Sequence, residues 1–382
     1  MIKKLLLFLF LALTGTSNAQ VLYETINSTK LGTDRELKIQ LPRNYESNPE
    51  KRYPLILVLD GDYLFEPMAG MVDLYSYWEE IPEAIVVGVN QLNTRRADSY
   101  YEEQTFLPFD TGASFFEFLG MELLPYLDGK YRTAEFVAVA GHDITANLIN
   151  YYMFKDSPLF DAYLNLSPEL APEMTNRLVN AFNTALSHKW FYLATSSGDV
   201  KSLEENAIGL DEQLQAIDNQ YFHYSFDNFD GASHFGLIGE AIPRALQTIF
   251  STYRPISVEE YQAVLLTSDT SPYEHLVQKY EQIESFYGLD LPIRVNDFLA
   301  VGKALEAREN WDDLEKLGDL ARDEYPNSTL GFYYQGRAYE EFGRPRKAMK
   351  TYQSAYGREE AAYMTIDFML DKAEEIKKDF GY

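Results

Sequence analysis

The chain has 382 residues, enough for two domains, and its 46% hydrophobic and 15% aromatic content can fill a sizeable core. Its formal net charge of −26 argues against nucleic acid or an anionic membrane surface as a partner. With no cysteine and five scattered histidines, it offers no disulfide, no thiolate metal site and no H-E-x-x-H pair, so neither metal nor cofactor is expected.

The N-terminus reads as a secretory signal. Lys3 and Lys4 precede an apolar run, Leu5 to Leu13, that is too short to span a bilayer. Ser17-Asn18-Ala19 supplies small residues for cleavage after Ala19. The chain is therefore expected to be exported, to the periplasm or beyond, with no spanning segment.

Residues 35–42 alternate like a half-buried strand. The runs at 53–62, 83–90, 135–143, 160–168, 190–199 and 221–228 then read as strands. Between them, residues 112–131, 144–154 and 200–217 read as helices. Alternating strands and helices predict a mostly parallel sheet with helices on both faces, whose chemistry lies beyond the C-terminal strand ends. Asp60, Asp143, Ser167, Asp199 and the segment from Asp230 to His234 fall near such ends.

Past Ser257 the strand signals stop and helices dominate. Phe298 and Phe332, Gly302 and Gly336, Leu305 and Tyr339, Leu314 and Ala348, and Ala321 and Ala355 all pair at one offset of 34 residues. That spacing resembles a tetratricopeptide repeat, small residues letting two helices approach while aromatics fill the gap. The expected organisation is a signal at 1–19, an α/β domain at 20–255 and a helical domain at 256–382, its last helix about 361–378.

The turn at Gly141-His142-Asp143-Ile144-Thr145 stands where a strand meets a helix, the setting of the G-x-S-x-G elbow of serine hydrolases. Aspartate occupies the serine position and threonine the last glycine. The stretches YPLILVLDGDYLF, NTRRADSYY, FLGMELLPYLDGKYRT, LFDAYLNLSPEL and GASHFGLIGEAIPRAL occur in the order and spacing of the putative-esterase family of the α/β-hydrolase fold. Over about residues 20–252 the chain resembles that family, which includes esterase D and the ferric-enterobactin esterases.

The resemblance implies an α/β-hydrolase fold and a carboxylic-ester hydrolase site. It puts Asp143 in the nucleophile's place and His234 at the catalytic base. Asp199 becomes the acid that orients the histidine, with Glu204 and Glu205 as alternatives. Backbone N–H groups of Ile144 and of the loop at Asp62 and Tyr63 become the oxyanion donors. If that geometry persists, Asp143 and His234 should form an ion pair. A β-branched Thr145 suggests a relaxed or altered turn.

A carboxylate has no proton to yield and makes a poor acyl nucleophile. The leading expectation is an exported protein weak or silent as a serine esterase, binding a small ester-like ligand, or a protein through its repeats. The rival is a working hydrolase using Asp143 and His234. Haloalkane dehalogenases and epoxide hydrolases carry a similar elbow, but the cap they need has no room in the roughly twenty residues between Pro168 and Trp190.

Overall fold

The computed structural model describes residues 21–382, and the signal-like segment lies outside them. The chain divides into two compact units. The first runs to Ser251 and includes Phe286–Gly288; the second comprises Thr252–Ser285 and Leu289–Tyr382.

The first unit is an eight-stranded sheet in the order β1-β2-β4-β3-β5-β6-β7-β8. Its strands are β1 (Leu22–Ser28), β2 (Thr33–Gln40), β3 (Tyr53–Val58), β4 (Ile85–Val89), β5 (Thr133–His142), β6 (Ala162–Leu166), β7 (Lys189–Gly198) and β8 (Phe222–Ser233). β1 and β2 are antiparallel to each other, as are β2 and β4, and the strands from β4 through β8 run parallel. The α/β-hydrolase fold predicted from the sequence is what the chain adopts.

Buried, β-branched strands such as YPLILV and IVVGV have apolar residues on both faces, as a sheet covered by helices requires. Leu55 and Leu57 of β3 join one core with Phe115, Phe118 and Leu148, and the alternate residues Ile56 and Val58 are buried on the opposite face. Helix α1 (Phe65–Tyr77) and the strand–helix junction after β4, where α2 (Arg95–Asp98) begins, went unread in the sequence. The predicted helix at 112–131 is α3 (Thr111–Phe118), continuing through a π-helical turn into Leu124–Lys130. Helix α4 (Ile144–Asn150) follows the elbow, and Tyr287 packs its ring on Phe136 and Phe250.

The second unit contains α5 (Val295–Ala307), α6 (Trp311–Glu324), α7 (Leu330–Glu341), α8 (Pro345–Gln353) and α9 (Ile366–Phe380). All ten residues paired at the 34-residue offset are buried or glycine at a close approach. A Cβ at Gly302 would come within 2.3 Å of the Tyr334 ring, and one at Gly336 within 2.2 Å of the Tyr352 ring. Each glycine thus admits a tyrosine ring, Gly302 from α7, two helices on, and Gly336 from α8, the next helix. Substituting Gly336→Ala should therefore destabilise the helical unit by about 1–3 kcal/mol, the usual cost of overpacking, seen as a lower urea midpoint for the far-ultraviolet signal.

Candidate active site

The elbow is built from a tight strand end. A Cβ on Gly141 would lie 2.6 Å from the Thr145 backbone, so only glycine lets β5 turn so closely into α4. Asp143 sits at the turn with φ 60° and ψ −121°, a strained conformation for a residue with a side chain. Of the relaxed or altered turn expected from Thr145, the relaxed form is not what the chain adopts. The Thr145 hydroxyl explains why: it accepts from the His142 N–H at 2.9 Å and donates to Asp60 at 2.6 Å. Threonine has entered the elbow's hydrogen bonding instead of opening it.

Asp143 is not paired with His234. Its carboxylate meets Arg95 Nη1 at 3.0 Å. The same guanidinium donates to Asp60 through Nε at 2.6 Å and Nη2 at 3.2 Å, and to the His142 carbonyl at 2.8 Å. Asp60 is 1% exposed, so burial pushes its carboxyl up, while Arg95 and Thr145 pull it back toward ionisation. Two carboxylates competing for one guanidinium explain why it, rather than His234, is Asp143's counter-charge.

Arg95 is itself held in place. Asp98, one turn on, takes a two-pronged ion pair from buried Arg35 at 2.9 and 3.0 Å, plus the Thr94 hydroxyl at 2.7 Å. Gln91 ties this cluster to the loop after β3: its side chain accepts from Asp60 N–H and donates to Asp98, and its own N–H donates to Asp62 Oδ2 at 2.6 Å.

His234 follows β8. Its Nδ1–H donates to Asp199 Oδ1 at 2.8 Å, and the Asp199 side chain is fully buried. Of the three acids, Asp199 is thus the one that meets His234, whereas Glu205 pairs with Lys201 and Glu204 lies in the helix Lys201–Leu214. Ser167 Oγ is 3.2 Å from the same nitrogen but belongs to a fully buried residue.

In the loop assigned to oxyanion binding, the Gly61 N–H is spent on Val89 O and the Tyr63 N–H on Asp60 O. The Tyr63 amide is thus not free and its hydroxyl faces His142 and Asp60, leaving Asp62 as the loop's remaining amide among the described residues. A cleft of about 380 Å³ beside the elbow is lined by Asp143, Ile144, Arg95, Arg96, Tyr101 and Glu169. Partial burial and the Asp143 carboxylate both raise the Glu169 pKa. Arg95, His142 and Glu169 had no assigned role in the sequence reading. The only sequence signal for Arg95 was its place in the NTRRADSYY stretch.

His142 is fully buried, and its Nε2 faces the His234 carbonyl at 3.2 Å. A carbonyl only accepts, so Nε2 carries the proton and Nδ1 accepts from the Tyr63 hydroxyl at 2.9 Å. Burial, then the neighbouring His234, push its pKa down to about 4. The folded pKa lies below the unfolded one, near 6.5. As pH falls below about 6.5, the unfolded chain binds the proton first. Stability present above that value declines until pH reaches about 4. By linkage the loss at pH 5 is about 2 kcal/mol. Urea unfolding of the wild type and of His142→Gln at pH 7 and pH 5 should show that excess loss only in the wild type.

No helix among the described residues is long and apolar enough to cross a membrane, and no group of three or more metal-ligating side chains occurs among them. A family model described as Putative esterase matches residues 28–181. An uncharacterised protein from Capnocytophaga ochracea is similar at TM-score 0.86 and 29% identity, over 94% of this chain and all of that one. An IroE-like serine hydrolase from Shewanella oneidensis is similar at TM-score 0.60 and 16% identity, over 80% of this chain and 99% of that one. The BES protein from Bacillus cereus aligns at TM-score 0.54 and 20% identity, over 60% and 95% respectively. No curated protein sequence matches the chain significantly. The segment 28–181 thus matches the putative esterase family, and the unit that carries it has the α/β-hydrolase fold.

Proposed function

We propose that this chain is an exported α/β-hydrolase whose elbow no longer performs serine-esterase chemistry and whose cleft binds a small ester-like ligand. The helical repeats, read as tetratricopeptide-like, then serve contacts with a protein. One observation carries the reading: the group at the nucleophile's position is a carboxylate, tied to Arg95 at 3.0 Å.

A serine nucleophile gives its proton to the histidine as it attacks. Asp143 has none to give, and its attack on an ester would form an anhydride. Its negative charge also stands beside the Ile144 N–H, where an oxyanion would need to settle. The cleft, lined by Tyr100, Tyr101 and two arginines, offers a ligand aromatic faces and charged donors. Export rests on the basic and apolar N-terminal sequence alone.

A second reading is favoured by the Asp199–His234 pair at 2.8 Å, which keeps a histidine oriented for proton transfer. In it Asp143 attacks carbon directly or activates water beside His234.

Restoring the hydroxyl separates the two. Asp143→Ser should gain measurable hydrolysis of small activated esters, and His234→Ala in that background should remove it. Wild type should be inert toward esters, epoxides and haloalkanes alike. Turnover by wild type that Asp143→Ser abolishes would establish the working-aspartate reading instead.

A further inference from the structure

A second cavity in the first unit, about 860 Å³, is lined by residues distinct from those of the elbow cleft. It lies between the turn Tyr151–Phe154, with the loop after it, and the helix Met174–Asn183, with the loop that follows. Its volume falls within the roughly 300–1,000 Å³ of small-molecule sites. Much of the wall is apolar, from Leu107, Met153, Phe154, Pro158, Ala181 and Leu186. Leu186 is 88% exposed, a large apolar side chain left in water beside the cavity.

The charged groups on this wall are unbalanced. Lys155, Arg177 and Lys189 face one carboxylate, Asp156. Lys189 is satisfied by Asp161 at 2.8 Å. Lys155 instead lies over the Phe116 ring, 4.9 Å from its centroid. Arg177 donates to the Thr105 and Phe106 carbonyls at 2.7 and 3.2 Å. Among the described residues neither is in a salt bridge, although the chain carries a net charge of −26. Two cations with only neutral partners beside an apolar hollow suit a molecule with one negative end and an apolar body.

We propose that this cavity binds an alkyl carboxylate, its chain against Met153, Phe154, Ala181 and Leu186 and its head between Lys155 and Arg177. The planar guanidinium matches the two oxygens of a carboxylate. A monoanion suits this wall better than a doubly charged phosphate ester, because an apolar site makes each charge costly to dehydrate.

Calorimetric titration of the full chain with sodium decanoate, kept below its micelle concentration, tests this. One equivalent should bind with Kd on the order of tens of micromolar. Decyltrimethylammonium should not bind, and 1-decanol should bind more weakly. Lys155→Gln should weaken decanoate about three- to fivefold and leave decanol unchanged. Leu186→Glu, at an exposed position, should weaken both the acid and the alcohol. Asp143→Ser should leave decanoate binding as it was. Absence of saturable binding would overturn the proposal. So would equal affinity for the cationic amphiphile, or binding that Asp143→Ser removes and Leu186→Glu does not.

Discussion

The elbow depends on one guanidinium. Arg95 sits between two carboxylates, one on the loop after β3 and one at the end of β5, and also holds the His142 carbonyl. Asp60 is inside the protein, and a buried carboxylate without its partner costs several kcal/mol. Arg95 cannot leave Asp60 cheaply, so it remains where it also meets Asp143. The charge of Asp143 is thus accommodated by a cation that Asp60 already needs. That explains how a carboxylate stands at this tight, positive-φ turn without unravelling it.

The same arrangement separates two groups of polar side chains around the elbow. His234 and Asp199 retain their mutual bond on the β7–β8 side. Asp143, Arg95 and Glu169 form the wall of the cleft. His142 lies beside His234 with ring centroids 4.3 Å apart, its two nitrogens engaged by Tyr63 and the His234 carbonyl. A fully buried imidazole there donates to the backbone of the histidine loop.

The strands from β3 through β7 were legible because burial on both faces leaves short runs of Val, Ile, Leu and aromatics; β2 showed instead as a half-buried alternation and β8 as an aromatic run at partly exposed positions. β1 was not: its alternate residues are exposed at the sheet edge, and Leu22 to Ser28 carries too little apolar character to stand out. The elbow was legible because its glycine, strained turn and following helix are consecutive. Its electrostatics were not, since Arg95 lies 48 residues from Asp143 and 35 from Asp60, and nothing local marks such a pairing. The expected Asp143–His234 pair failed for that reason. The turn stays tight at Thr145 because the side chain's hydroxyl, not its branched bulk, decides how it sits there.

In the helical unit, the rings of Tyr334 and Tyr352 occupy the space where Gly302 and Gly336 lack side chains. A ring seated in a notch acts as a key. Sliding one helix along the next by a single residue, about 1.5 Å, would drive the ring against a neighbouring side chain. Opening the pair like a book would only withdraw it. The stack is therefore stiff to shear along the helix axes and softer to hinging between pairs. A force applied along the helices would be transmitted through it, while one applied across them would be absorbed.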